Sequence, residues 1–244
     1  MTETVLILGG RSDIGLACAH AFAARGHPVQ LAARDADTLA TTRQDLALRH
    51  MVDVSLHDLD ATAIETLEPF ADALDPAPGI VICVIGALGD QARDEADPAA
   101  AVAVMRANYE GPATLMGVFA NRMAAQGRGV LVGVSSVAGD RGRKANYIYG
   151  SAKAGFTAYL SGLRNRLAGQ GVHVVTVKPG FVATRMTEGM DLPARLTAQP
   201  DEVAQAIVRA VEKRRDVVYV RPVWRLVMAA IRAIPEALFK RSSI

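Results

Sequence analysis

The chain has 244 residues, half of them hydrophobic and 21% charged, with a formal net charge of +2. That suits one large α/β domain with a well-filled core, and so small a net charge gives no reason to expect nucleic acid as a partner. The two cysteines, Cys18 and Cys83, fall in apolar stretches and read as small core residues; the five histidines show no metal-ligand spacing, so no metal site is expected.

The first strand, Val5–Leu8, begins so early that no signal peptide is expected ahead of it. It runs into Gly9 and Gly10, and Gly15 lies at the start of a helix over about 14–25. Strand, glycine turn and helix in this order form a phosphate-binding loop, because the free N–H groups of a helix start face a pyrophosphate. Arg11, Ser12, Asp13 and Ile14 complete the loop. Asp13 is an odd neighbour for a phosphate, and either it or Ser12 is expected to cap the first turn. The second strand, Val29–Ala33, is followed by Arg34. An acid at this strand end would bind the ribose diol of NAD. A guanidinium suits the 2′-phosphate of NADP, so NADP(H) is the expected cofactor, with Arg11 as a second contact. Asp35 leaves NAD(H) as the alternative.

A helix over 36–47 leads to a third strand at 50–52, ended by Asp53 and Val54, where a carboxylate can accept the adenine amino group. A helix over 58–73 precedes the fourth strand, Ile80–Ile85, and Gly86 beyond it is read as cofactor wall. The apolar run from Gly79 to Gly89 is too short to span a bilayer, and a cytoplasmic protein is expected. A long helix over 98–126 carries Asn108. Then come a fifth strand, Val130–Ser135, a helix over 147–169, a sixth strand, Val172–Lys178, a helix over 201–214 and a seventh strand, Val217–Val220. Residues 186–200 read as a lid loop. The strands are nearly all apolar, which marks strands buried on both faces in a parallel sheet. The expected fold is a single doubly wound Rossmann domain over residues 1–220: a seven-stranded parallel sheet flanked by helices, with ligands at the C-terminal strand ends.

The stretch from Ser135 to Gly155 carries the strongest chemical signal. Tyr149 and Lys153 stand four apart and share one helix face. Ser136 precedes Tyr149 by thirteen residues, just past the fifth strand. Tyr147 lacks a lysine four residues on and reads as a packing or substrate contact. With these residues the chain resembles the classical short-chain dehydrogenase/reductase family, from Val5 to about Val220. The resemblance implies an NAD(P)-dependent oxidoreductase. Tyr149 would be the general acid/base, Lys153 would lower its pKa and hold the nicotinamide ribose, Ser136 would bind the substrate oxygen, and Asn108 would hold a water linking Lys153 to solvent. Pro179 and Gly180 match the family's segment after the sixth strand, with Val182 and Thr184 expected at the carboxamide and phosphates. The chain departs from the family at Leu8 and Asp13 in the first motif and at Cys83-Val84-Ile85-Gly86 after the fourth strand.

The remaining residues, 221–244, read as an amphipathic tail. Trp224, Val227, Met228, Ile231 and Leu238 recur at helical spacing beside Arg225, Arg232, Lys240 and Arg241, with a break at Pro235. Such a helix either touches a membrane peripherally or packs on the domain or on a second subunit. The loop and the tail together resemble a branch of the family containing reductases of a polyprenyl-phosphate-linked keto-sugar. The family also implies a homodimer or homotetramer across long helices, and Phe156, Tyr159, Leu160 and Leu163 are the apolar residues expected there. Carbonyl reduction of a small-molecule or lipid-linked substrate is the expected activity. The alternative is a non-catalytic cofactor sensor or scaffold on the same fold, a type that commonly loses the Tyr or the Lys.

Overall fold

The computed structural model describes residues 2–242. Its frame is a seven-stranded parallel sheet in the order β3-β2-β1-β4-β5-β6-β9, formed by β1 (Val5–Leu8), β2 (Val29–Ala33), β3 (Val54–Asp58), β4 (Ile80–Cys83), β5 (Gly129–Val134), β6 (Val172–Lys178) and β9 (Val217–Tyr219). The chain runs outward from β1 in one direction and then from β4 in the other. The resulting switch point opens a crevice at the C-terminal ends of β1 and β4. Every residue of β1, β2, β4 and β6 is buried. Helices α1 (Asp13–Ala23) and α8 (Pro200–Glu212) cover one face of the sheet, with Phe22, Val203 and Ile207 in the core. Helices α6 (Gly111–Gln126) and α7 (Tyr147–Leu167) cover the other, through Met116, Phe119, Phe156 and Leu160. Each large side chain so buried stabilises the fold by about 1.5–3 kcal/mol.

The expected doubly wound sheet is therefore present, and four local readings need correction. First, the third strand is not at 50–52. Helix α2 (Ala40–His50) takes the first of those positions and is capped at Met51, which has the left-handed conformation at φ 54°. The strand starts at Val54 and pairs Val29–Ala33 in register. As a sheet edge it is only half-buried and alternates polar with apolar residues, so it lacks the apolar run of its neighbours. The assignment of Asp53 and Val54 to the adenine end is corrected with it. Both lie at the N-terminal end of β3, where the Asp53 carbonyl accepts the Val29 N–H, whereas the glycine turn lies at the C-terminal end of the strands.

Second, the long helix is three pieces: α5 (Pro98–Met105), a π-turn over Arg106–Glu110, and α6. Short α3 (Leu67–Asp72) replaces most of the helix expected over 58–73, and short α4 (Gln91–Ala96) precedes α5. Third, the lid loop is framed by a small parallel pair, β7 (Phe181–Val182) and β8 (Thr197–Ala198), with tight turns at 185–187 and 194–196 between them. Fourth, Phe156, Leu160 and Leu163 sit in the core of their own chain, so three of the four residues expected at a subunit interface are already covered. The tail forms α9 (Val223–Ala233) and α10 (Glu236–Phe239), separated at Pro235. Ser243 and Ile244 at its end lie outside the described residues.

Candidate functional site

Of the two candidate caps, Ser12 starts α1. Its hydroxyl accepts from the Gly15 N–H at 3.0 Å and donates to the Gly9 carbonyl at 2.8 Å. A Cβ on Gly15 would stand 2.5 Å from that carbonyl oxygen, so only glycine lets the helix start sit on the strand end. The turn borders a groove of about 310 Å³ that also takes in Arg11, Arg34, Val84, Gly86 and the 59–62 segment after β3. Those residues, Leu59 to Thr62, occupy the wall that the sequence reading gave to Asp53 and Val54. Asp60 is held below the ordinary carboxylate range, first by N–H and hydroxyl bonds from Thr62 and last by the Arg34 charge. Asp35 turns to Arg11 at 3.5 Å, and Arg11 donates to the Arg34 carbonyl. The Arg34 guanidinium has no hydrogen-bonding or ion-pair partner among the described residues. A helix start, glycine at the crowded points and a free guanidinium at the rim are the donors a phosphorylated dinucleotide needs.

Val84 and Gly86 also line a second cavity, of about 150 Å³, with Ser136, Tyr149, Lys153 and Asn108 around it. Ser136 follows β5 in extended backbone, and its hydroxyl accepts the Ala138 N–H at 3.1 Å. Tyr149 and Lys153 project from successive turns of α7. The Lys153 Nζ lies 3.3 Å from the Val134 carbonyl, 3.4 Å from the Ile85 carbonyl and 5.8 Å from the centre of the Tyr149 ring. Burial pushes the Lys153 ammonium down to about 8. Burial also raises the Tyr149 phenol, with the Ser136 hydroxyl pulling the other way. The expected lowering of the phenol by Lys153 is thus not the dominant effect here; desolvation is. Such a phenol keeps its proton at neutral pH.

Asn108 sits in the π-turn, fully buried. Its amide donates to the Ala87 and Val104 carbonyls at 2.6 and 2.8 Å, and its Oδ1 accepts the Ala87 N–H at 3.3 Å. The widened turn thus carries one buried polar side chain, Asn108, which faces inward. A Cβ on Gly86 would meet Asn108 Oδ1 at 2.6 Å and Lys153 Nζ at 3.1 Å, so glycine there lets the groove floor approach both side chains. Tyr147 points elsewhere: it is exposed, and its hydroxyl donates to Glu95 at 3.3 Å.

Ile14, Pro179, Gly180, Val182 and Thr184 line the same cavity. Asp13, free of capping, reaches across to the lid instead. Its carboxylate accepts from the Arg185 backbone N–H at 2.8 Å and from Arg185 Nε at 2.9 Å, while Arg185 also donates to the Arg11 carbonyl. Arg185 escaped sequence reading because its partner lies 172 residues away; the one hint was an unexplained acid in the glycine loop. The tail holds the lid from its other side. Trp224 is buried, stacks edge-on against Phe181 at 5.3 Å, and donates its indole N–H to the Leu196 carbonyl at 3.1 Å. A Cβ on Gly180 would enter the indole ring. Arg141 clasps the far end of the tail: it donates to the Ile231 and Ile234 carbonyls, pairs with Glu236 at 2.9 Å and lies 3.7 Å from the centre of the Phe239 ring. The inner face of the tail is packed on its own domain; Leu226 and Leu238 stay exposed. Among the described residues no helix is long and apolar enough to cross a membrane.

A family profile described as short chain dehydrogenase matches residues 3–193. An uncharacterized oxidoreductase of Mycobacterium tuberculosis is 42% identical over 240 residues, covering 97% of this chain and 96% of the relative. Among solved structures, a short-chain dehydrogenase from Sphingobium yanoikuyae in complex with NADPH superposes with a TM-score of 0.80 at 25% identity, over 96% of this chain and 97% of the other. A bulky-bulky ketone specific alcohol dehydrogenase from Comamonas testosteroni does so with a TM-score of 0.80 at 25% identity, over 96% of each chain.

Proposed function

Because the chain belongs to the short chain dehydrogenase family and is an oxidoreductase built for a nicotinamide dinucleotide, we propose that it reduces the carbonyl of a hydrophobic ketone, with NADPH preferred over NADH. The observation that carries this reading is that two spaces share a wall. The groove that suits a dinucleotide shares Val84 and Gly86 with the cavity that holds Ser136, Tyr149 and Lys153. When bound, NADPH supplies the hydride that adds to the carbonyl carbon. The residues of this chain do the rest. Ser136 and Tyr149 receive the carbonyl oxygen, and the phenol gives up its proton as negative charge develops there. Lys153, still charged below about pH 8, steadies the phenolate that remains. Asn108 keeps the wall beside Lys153 in place.

The NADPH preference rests on Arg34, unpartnered at the groove rim, with Asp35 occupied by Arg11. The NADPH held by the Sphingobium neighbour accords with it. The apolar substrate rests on Leu88, Val137, Phe181, Met186 and Met190 in the cavity lining, which suit a bulky or lipid-like ketone. A sensor without catalysis has no use for a proton donor held so closely, and Tyr149 and Lys153 are both in place. The test is consumption of NADPH and of NADH against a panel of bulky ketones. Wild type should turn over faster with NADPH, and Tyr149→Phe should lose at least ~100-fold in turnover while binding NADPH as before. Equal turnover by that variant would refute the assignment.

A further inference from the structure

Two arginines, two residues apart, flank the entrance to α7 and live in opposite circumstances. Arg141 spends its N–H groups on the tail. Arg143 lines the catalytic cavity, and its guanidinium meets no carboxylate and no hydrogen-bond acceptor among the described residues. Its Nε is buried and orphaned. So is the Oδ1 of Asn146, three residues on, which lines the same cavity. Among the described residues no aspartate or glutamate lines that cavity, and Lys153 is its other cation. Burial lowers the Arg143 pKa. A half-buried charge without a counter-ion costs free energy in the empty protein, and a ligand that brings the counter-ion recovers it.

We propose that the substrate carries an anionic oxygen group, carboxylate or phosphate, which Arg143 receives while Ser136 and Tyr149 hold the ketone. A guanidinium matches the paired oxygens of either group with two parallel N–H bonds. The Asn146 amide completes the pocket: as drawn it accepts from a substrate hydroxyl, and turned over it donates to the anion. The apolar side chains Leu88, Met186 and Met190 take the body between the two polar ends. The substrate class is thus an amphiphilic keto acid or keto phosphate. This proposal rests on the reductase reading of the same cavity.

The experiment compares methyl-ketone carboxylic acids of graded chain length with their methyl esters, and dihydroxyacetone phosphate with dihydroxyacetone, at saturating NADPH. Wild type should favour at least one charged member over its neutral twin by roughly 10- to 100-fold in kcat/KM, the worth of a charge-assisted bond. The two arms tell carboxylate from phosphate. Arg143→Met should erase the preference, mainly through KM of the charged member; Arg143→Lys should keep part of it. Removal of an unpaired cation should leave the melting temperature level or higher, and a fall would assign Arg143 a structural role and overturn the proposal. Calorimetric binding of the matching hydroxy acids to the enzyme–NADP⁺ complex needs no turnover. Binding lost in Arg143→Met but kept in Tyr149→Phe supports the anion site even where no ketone of the panel is reduced, which would count against the reductase reading alone. Equal binding or equal kcat/KM of acid and ester in wild type overturns the proposal.

Discussion

The two walls of the active-site cleft are built by different means. On the cofactor wall, Gly9, Ser12 and Gly15 lie within seven residues, and the Ser12 cap and the close helix–strand approach are settled by neighbours in sequence. On the substrate wall, the lid between β7 and β8 owes its place to Asp13, 172 residues before Arg185, and to Trp224, 28 residues after Leu196. One wall is a local motif docked on a sheet; the other is a loop held by two remote clamps. The comparison explains the odd acid in the glycine loop. Asp13 belongs to the substrate wall although it sits in the cofactor motif, and Ser12 does the capping that frees it.

If the tail is a clamp, Trp224→Ala should have the largest effect. It removes a buried indole from Phe181, Gly180 and the Leu196 carbonyl, at a cost of about 3–5 kcal/mol of stability for truncating a buried aromatic. KM for ketone should rise well above the change in the dissociation constant of NADPH. A variant that melts like wild type with an unchanged KM would dissolve the distinction between the walls.

Arg34→Asp tests the cofactor wall alone. It should shift the NADPH/NADH ratio of dissociation constants by about 10- to 100-fold toward NADH, as expected for a lost charge-assisted contact. Fluorescence titration reads it, and KM for ketone should stay put. If wild type already prefers NADH, Arg34 is not the phosphate partner.

The pH profile probes the floor the walls share. Lys153 titrates at about 8 in the folded chain against an ordinary value of 10.5. The kcat/KM for NADPH, which reports free-enzyme groups, should therefore be level below that pH and fall about tenfold per unit above it. Stability moves the other way. Between about 8 and 10.5 the unfolded chain binds more protons at this group, so its contribution to stability rises with pH. The melting-temperature advantage of Lys153→Met over wild type should shrink across that window.

The smallest effect belongs to the Asp13–Arg185 clamp, whose side chains are 26% and 65% exposed. Asp13→Asn and Arg185→Gln should each cost roughly 1 kcal/mol or less, a few-fold in KM. The double variant should cost no more than the worse single one, since both remove the same pair. Additive losses would show two unrelated roles.

What the sequence by itself determined was whatever its neighbours in the chain decide. Apolar strands with helical stretches between them dictated a parallel sheet buried on both faces. The glycine spacing dictated the helix-start loop, and the four-residue interval dictated that Tyr149 and Lys153 share a face. Asp53 and Val54 were misplaced because an edge strand alternates polar with apolar residues and lacks the signal of a buried one. The π-turn at Asn108 left no mark, since a single widened turn barely alters helical periodicity. Only the tertiary structure decided that Asp13 would reach across to Arg185, that Trp224 would hold the lid from its other side, that Phe156 and Leu160 would fill their own core, and that Arg143 would face the cavity alone. The physical reason is common to all four. Capping, turns and face-sharing are fixed by bond geometry within a few residues, whereas partners and burial depend on which distant surfaces the fold presses together.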